Sequence, residues 1–184
     1  MASVEESDII DGVFVVTPQV FSDERGYFVE TYRREWIPRR SREMVQANRG
    51  DRQAGCIVGL HYHLHQSDYW YVPFGTVRVV LHDLRIGSPT DGGTLCMDLG
   101  GEDHRGVYIP PGVAHGFGSL TDATITYLVD SYYNPADECG VAWDDPVIGA
   151  DWGIEAPILS SRDSSNPARA DIEPMWQPHF GLRN

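Results

Sequence analysis

The chain has 184 residues, 41% of them hydrophobic and 11% aromatic, a composition that suits a single globular domain and excludes a disordered chain. A formal charge of −13 argues against nucleic acid as a partner, since phosphate backbones are bound by basic surfaces. All 14 basic residues are arginine, which excludes a Schiff-base lysine. Cys56, Cys96 and Cys139 are odd in number and widely spaced, indicating neither a disulfide framework nor a thiolate zinc site. Without an apolar run of about 20 residues or an N-terminal leader, the expectation is a cytoplasmic protein with no membrane partner.

In chain order, residues 1–10 are acidic and unpatterned and are expected to fray. Residues 12–18 predict a first strand, 21–26 a turn and 27–32 a second strand rich in aromatic and β-branched side chains. Residues 33–42, interrupted by Pro38, are the one fair helical candidate, and 44–48 are extended again. Residues 56–60 lead into a row of histidines, and the alternation over 75–84 is the clearest strand signal in the chain. After a dense turn at 87–93, strands are predicted over 94–99, 106–109, 114–119 and 123–131. Short strands punctuated by Gly and Pro indicate an all-β sandwich or barrel. Beyond Asn134-Pro135 the chain is irregular, and Trp143, Trp152 and Trp176 are expected to pack it onto the barrel.

The stretch from Gly59 to Gly75 carries the chemistry. His61, His63 and His65 alternate, so on an extended backbone they share one face, with Asp68 close behind. A second segment, from Pro110 to His115, brings a further histidine. Together the two segments resemble the paired motifs of the cupins, in which histidines and one acid hold a divalent metal. On that resemblance His61, His63, Asp68 and His115 are the candidate ligands, a donor set suited to iron, manganese, nickel or zinc.

A longer match runs through nearly the whole chain. It begins with Phe21, Asp23, Arg25, Gly26, Phe28 and Glu30, then Gln46 and Asn48, then Gly59-Leu60-His61-Tyr62. It continues through Asp83-Leu84-Arg85, Gly87-Ser88-Pro89-Thr90 and Ala114-His115-Gly116-Phe117. Tyr127-Leu128, Tyr132-Tyr133-Asn134-Pro135, Glu138, Trp143, Asp145-Pro146 and Leu159-Ser160, with Arg162-Asp163, complete it. In this order the residues resemble the dTDP-4-dehydrorhamnose 3,5-epimerases. The resemblance implies a cupin-type jelly roll (a double-stranded β-helix) with short helical and irregular C-terminal segments. It implies one domain over 1–184, with its core at about 13–170.

The same resemblance implies roles. His61 would take the proton beside a sugar's 4-keto group, Asp163 would orient and charge its imidazole, and Tyr127 would return a proton from the opposite face, a nearby charge lowering the phenol's pKa. Arg25, Phe28, Glu30, Gln46, Asn48, His115, Tyr133, Glu138 and Arg162 would contact substrate, a dTDP-linked keto sugar. No cofactor is implied, and the protein would be a homodimer sharing a strand between subunits. Three positions depart from the family: Val58 replaces an arginine, His63 a glutamine and Asp68 a lysine beside the developing enolate oxygen. An oxyanion needs a donor or cation aimed at it. The departures therefore keep two alternatives open: a metal-dependent cupin oxygenase or isomerase, and a sugar-binding cupin without catalysis.

Overall fold

The computed structural model describes residues 1–39 and 41–181. Thirteen strands are found among the described residues. They are β1 (Ser3–Glu6), β2 (Phe14–Thr17), β3 (Val20–Asp23), β4 (Gly26–Val29), β5 (Gln46–Arg52), β6 (Ile57–Tyr62) and β7 (Asp68–Phe74). The remainder are β8 (Thr76–Asp83), β9 (Thr94–Gly100), β10 (Gly106–Ile109), β11 (Val113–Ser119), β12 (Ala123–Val129) and β13 (Cys139–Gly140). A six-stranded sheet runs β1-β2-β10-β7-β12-β5 and a five-stranded sheet runs β13-β6-β11-β8-β9. All pairings between these strands are antiparallel.

The two sheets close over one apolar layer. Trp70 and Val72 of β7, Val107 and Ile109 of β10 and Ile125 of β12 meet Val77, Val79 and Leu81 of β8 and Phe117 of β11. Side chains on a strand alternate faces, so the neighbours of these residues point outward. Here the outward faces are covered too. Tyr69 and Tyr71 of β7 pack with Trp36 and Ile37, while Val80 of β8 packs with Ile148, Trp152 and Ile172. That second cover explains why β7 reads as a continuous apolar run from Tyr69 to Val72. It also fulfils the expectation for the C-terminal chain, because Trp143 and Trp176 join Trp152 in the same cluster.

Three elements differ from the sequence reading. Residues 3–6 pair with β2, from Ser3 opposite Thr17 to Glu6 opposite Phe14. Every side chain of β1 is exposed, so backbone hydrogen bonds hold a strand that leaves no apolar pattern to read. Within the predicted helix over 33–42, the described residues form a single 3₁₀ turn, Arg34–Trp36, and Arg40 lies outside the described residues. Pro38 forces Ile37 into an extended conformation (φ −103°, ψ 159°), and Trp36 and Ile37 are drawn onto the sheet. The predicted turn at 21–26 is largely strand, with β3 and β4 forming a hairpin from Val20 opposite Val29 to Asp23 opposite Gly26.

Candidate active site

A cavity of about 380 Å³ opens between the sheets, and His61, His63, Asp68, His115 and Tyr127 all face it. A second cavity of about 330 Å³ adjoins it, sharing Arg52, Val58 and His61 and reaching Ser160, Arg162 and Asp163. The approach of β6 to β11 sets the geometry. His61 lies opposite His115, and the register shifts between His115 and Phe117. At Gly59 (φ +117°) a Cβ would stand 2.7 Å from Gly116 Cα and 2.8 Å from His115 O. The Gly59-Leu60-His61 motif is therefore a close-packing device as well as a bearer of chemistry.

His61 Nε2 lies 2.6 Å from Asp163 Oδ1. Asp163 opens the 3₁₀ turn Asp163–Ser165, and its other oxygen accepts a bond from Ser160 Oγ at 2.8 Å. Burial works against the Asp163 charge, but the bonds from His61 and Ser160 outweigh it and hold the carboxyl below its ordinary pKa. An ionised carboxylate takes the proton on Nε2 as its partner, which leaves His61 Nδ1 as the basic atom.

His63 and His115 are fixed differently. His63 donates from Nδ1 to the Asp137 carbonyl at 2.7 Å, and His115 from Nδ1 to the Val113 carbonyl at 2.9 Å. A carbonyl can only accept, so both rings carry their proton on Nδ1 and leave Nε2 bare. Burial pushes His115 down to about 4. Asp68, 3% exposed, accepts from Gln66 Nε2 at 2.9 Å and Trp70 Nε1 at 3.0 Å. One ligand atom from each of His63, Asp68 and His115 falls within 4.8 Å of the others. His61 is not part of that group, so the four-ligand set expected from the cupin motifs reduces to three. His61 Nε2 is instead bonded to Asp163. His65 lies beyond the end of β6 and is exposed.

Tyr127 comes from β12 in the other sheet, opposite Trp70 and Asn48. Its phenol is raised above the usual range, first by burial and then by the Asp68 charge. This reverses the lowering expected from sequence: the charge nearby is an anion, and it keeps the hydroxyl protonated. Gln46, Asn48, Tyr133 and Glu138 also line the cavity. Gln46 Nε2 donates to Asn48 Oδ1 at 2.9 Å, and Arg162 Nη1 to Glu138 Oε2 at 3.1 Å.

Arg25, Phe28 and Glu30 are not at this cavity. Arg25 pairs with Asp23 on the exposed β3–β4 hairpin, Glu30 pairs with Arg33, and Phe28, 65% exposed, lies against Phe21. Arg52 is a cavity residue that the sequence reading missed. Strand parity could have found it, since Gln46, Asn48, Gly50 and Arg52 all line the cavity from one face of β5. The sequence reading ended that strand at Asn48.

The His61 imidazole and the Tyr127 phenol thus enter one cavity from opposite sheets of a jelly roll, a layout found in cupin-type isomerases. Comparison with known proteins narrows the class. Residues 7–171 match the family described as dTDP-4-dehydrorhamnose 3,5-epimerase. A protein of that name from Neisseria gonorrhoeae is 39% identical over 176 residues, which is 90% of this chain and 54% of that one. Another from Shigella flexneri is 34% identical, covering 89% of this chain and 94% of the relative. Among solved structures, the Legionella pneumophila dTDP-6-deoxy-D-glucose-3,5-epimerase, in complex with dTDP-4-keto-L-rhamnose, superposes with a TM-score of 0.92 at 30% identity. That match covers 99% of this chain and 100% of the other. The chain belongs to the dTDP-4-dehydrorhamnose 3,5-epimerase family and is an isomerase.

Proposed function

We propose that the protein epimerises a dTDP-linked 4-keto-6-deoxy sugar at C3, C5 or both. The observation that carries this reading is the placement of His61 and Tyr127 on facing sheets around one cavity. Inverting a carbon beside a ketone requires a proton to leave from one face of the sugar and return on the other. His61 Nδ1 takes the proton α to the 4-keto group, and Asp163 steadies the imidazolium that forms. The protonated phenol of Tyr127 returns a proton from the opposite side. Proton removal and return involve no net oxidation, so the reaction calls for no redox cofactor.

Gln46, Asn48, His115, Tyr133, Glu138 and Arg162 surround the reacting centre and hold the sugar nucleotide in place, which supports proximity and orientation at the ketone. Arg25, Phe28 and Glu30 take part through a homodimer, in which the exposed β3–β4 hairpin with Phe21 and Phe28 docks against a second copy. No described helix is long and apolar enough to cross a membrane. Incubation with a dTDP-4-keto-6-deoxy sugar in heavy water tests the reaction. Deuterium is expected at C3 or C5 with wild type and not with His61→Ala; no exchange with wild type overturns the reading.

A further inference from the structure

We propose that His63, Asp68 and His115 form a binding site for a divalent first-row transition-metal ion, distinct from the His61–Asp163 pair. Among the described residues, these are the three side chains of metal-ligating type that converge, with one ligand atom from each within 4.8 Å of the others. Atoms held about 2.1 Å from a shared ion stand roughly 3–4 Å apart, so closure asks only a small inward adjustment.

The hydrogen bonds around the group are those of a ligand set already oriented. Each imidazole spends Nδ1–H on a backbone carbonyl, of Asp137 for His63 and of Val113 for His115. Metal-bound histidines have their tautomer fixed in this way, with the remaining nitrogen presented to the ion. The Asp68 carboxylate is held by Gln66 Nε2 on one oxygen and Trp70 Nε1 on the other, and each oxygen keeps a second lone pair. Trp70 also stands edge-on to the His115 ring, with centroids 5.3 Å apart, and limits its rotation.

The charge balance points the same way. Buried carboxylates are paired with cations or coordinate metals, because an unpaired buried charge is costly. Asp68 is buried, and among the described residues no arginine forms an ion pair with it. The ligand set of two imidazoles and one carboxylate carries a charge of −1, and the Glu138 carboxylate, 3.8 Å from His63 Nδ1, adds a further negative charge beside it. That donor set suits iron, manganese, cobalt, nickel or zinc and leaves further coordination positions open. All three residues line the cavity, and a bound ion there would supply Lewis-acid polarisation of a ligand's carbonyl oxygen.

Binding can be read without any sugar, so the outcome is separate from that of the epimerase reading. Purified full-length protein is stripped with chelator and titrated with Co²⁺ as the probe. The expected result is saturable uptake of one ion per chain, with visible absorption and a rise in thermal midpoint. His63→Gln and Asp68→Asn are each expected to weaken uptake at least tenfold, while His65→Gln binds as wild type. Near-ultraviolet circular dichroism verifies that the variants are folded. Should either fail to fold, electron paramagnetic resonance of the Cu²⁺-loaded wild type replaces it, with coupling to two nitrogens expected. No saturable uptake by wild type, uptake unchanged in folded His63→Gln, or coupling to fewer than two nitrogens overturns the assignment.

Discussion

His61 and Asp163 are 102 positions apart in the chain, yet their side chains meet at 2.6 Å. The contact depends on the irregular C-terminal chain folding back over the five-stranded sheet, where Trp143, Trp152 and Trp176 join Leu60, Tyr62 and Val80. The apolar cover on that face thus carries the carboxylate to the imidazole.

Asp163→Asn tests what that carboxylate does. The carboxamide has nearly the same volume but no charge, so the imidazolium formed after proton abstraction loses its partner. Its NH₂ can also face Nε2 and move the ring proton to Nδ1, the atom that must be bare. Exchange of deuterium into substrate is expected to fall about 10²–10⁴-fold, the usual worth of general-base catalysis. Binding of dTDP, measured by calorimetry, is expected to change little.

Tyr127→Phe separates the two halves of the reaction. Removing the hydroxyl leaves His61 and Asp163 in place, so a proton can still leave and return on the same face. Deuterium wash-in is expected to persist while conversion to the inverted sugar falls about 10²-fold or more, followed by proton NMR. Equal loss of both signals would remove Tyr127 from the role of acid.

The strands were legible where the sheets are sandwiched and illegible where backbone alone pairs. The alternation over 75–84 corresponds to β8, and 106–109 to β10, because their side chains lie in packed layers. β1 has four exposed side chains and shows no pattern at all. Alternation placed His61 and His63 on the cavity, but β6 ends at Tyr62 and the chain bends at Leu64 and His65, which leaves His65 exposed. No local spacing links His61 to Asp163; only the order of motifs along a whole family does. The grouping of His63 and His115 with Asp68 was within reach of spacing, whereas the bond from His61 to Asp163 was not, because Asp163 lies in the irregular tail.

His82 provides a pH test of stability away from the cavity. Thr94 Oγ1 donates to the Ile148 carbonyl and so accepts from His82 Nδ1, leaving His82 Nε2 buried and without a partner among the described residues. Burial first, and the Arg169 charge second, push the group down from 6.5 to about 4. The unfolded chain therefore binds a proton that the folded chain refuses between those values. The contribution is fully present above about pH 6.5 and is lost as pH falls toward 4, a gap corresponding to roughly 3 kcal/mol. His82→Gln removes the titration. Denaturant unfolding is expected to show wild type losing about 2–3 kcal/mol more than the variant between pH 7 and 4.

Gly59 and Gly87 both have positive φ, at +117° and +80°, but their surroundings differ. A Cβ at Gly87 meets nothing within 4 Å, so Gly87→Ala is expected to cost only the backbone strain, about 1 kcal/mol. A Cβ at Gly59 would lie 2.7 Å from Gly116 Cα and 2.8 Å from His115 O, backbone atoms that can yield only by parting β6 from β11. Strain and overpacking together cost roughly 2–6 kcal/mol, or a fall of about 5–20 °C in Tm. Parting those strands also shifts His61 and His115, which face each other across the pairing. Gly59→Ala is therefore expected to lose epimerisation at temperatures where it is still folded, whereas Gly87→Ala keeps wild-type turnover. Equal thermal midpoints for the two variants would show that the β6–β11 contact is not the constraint.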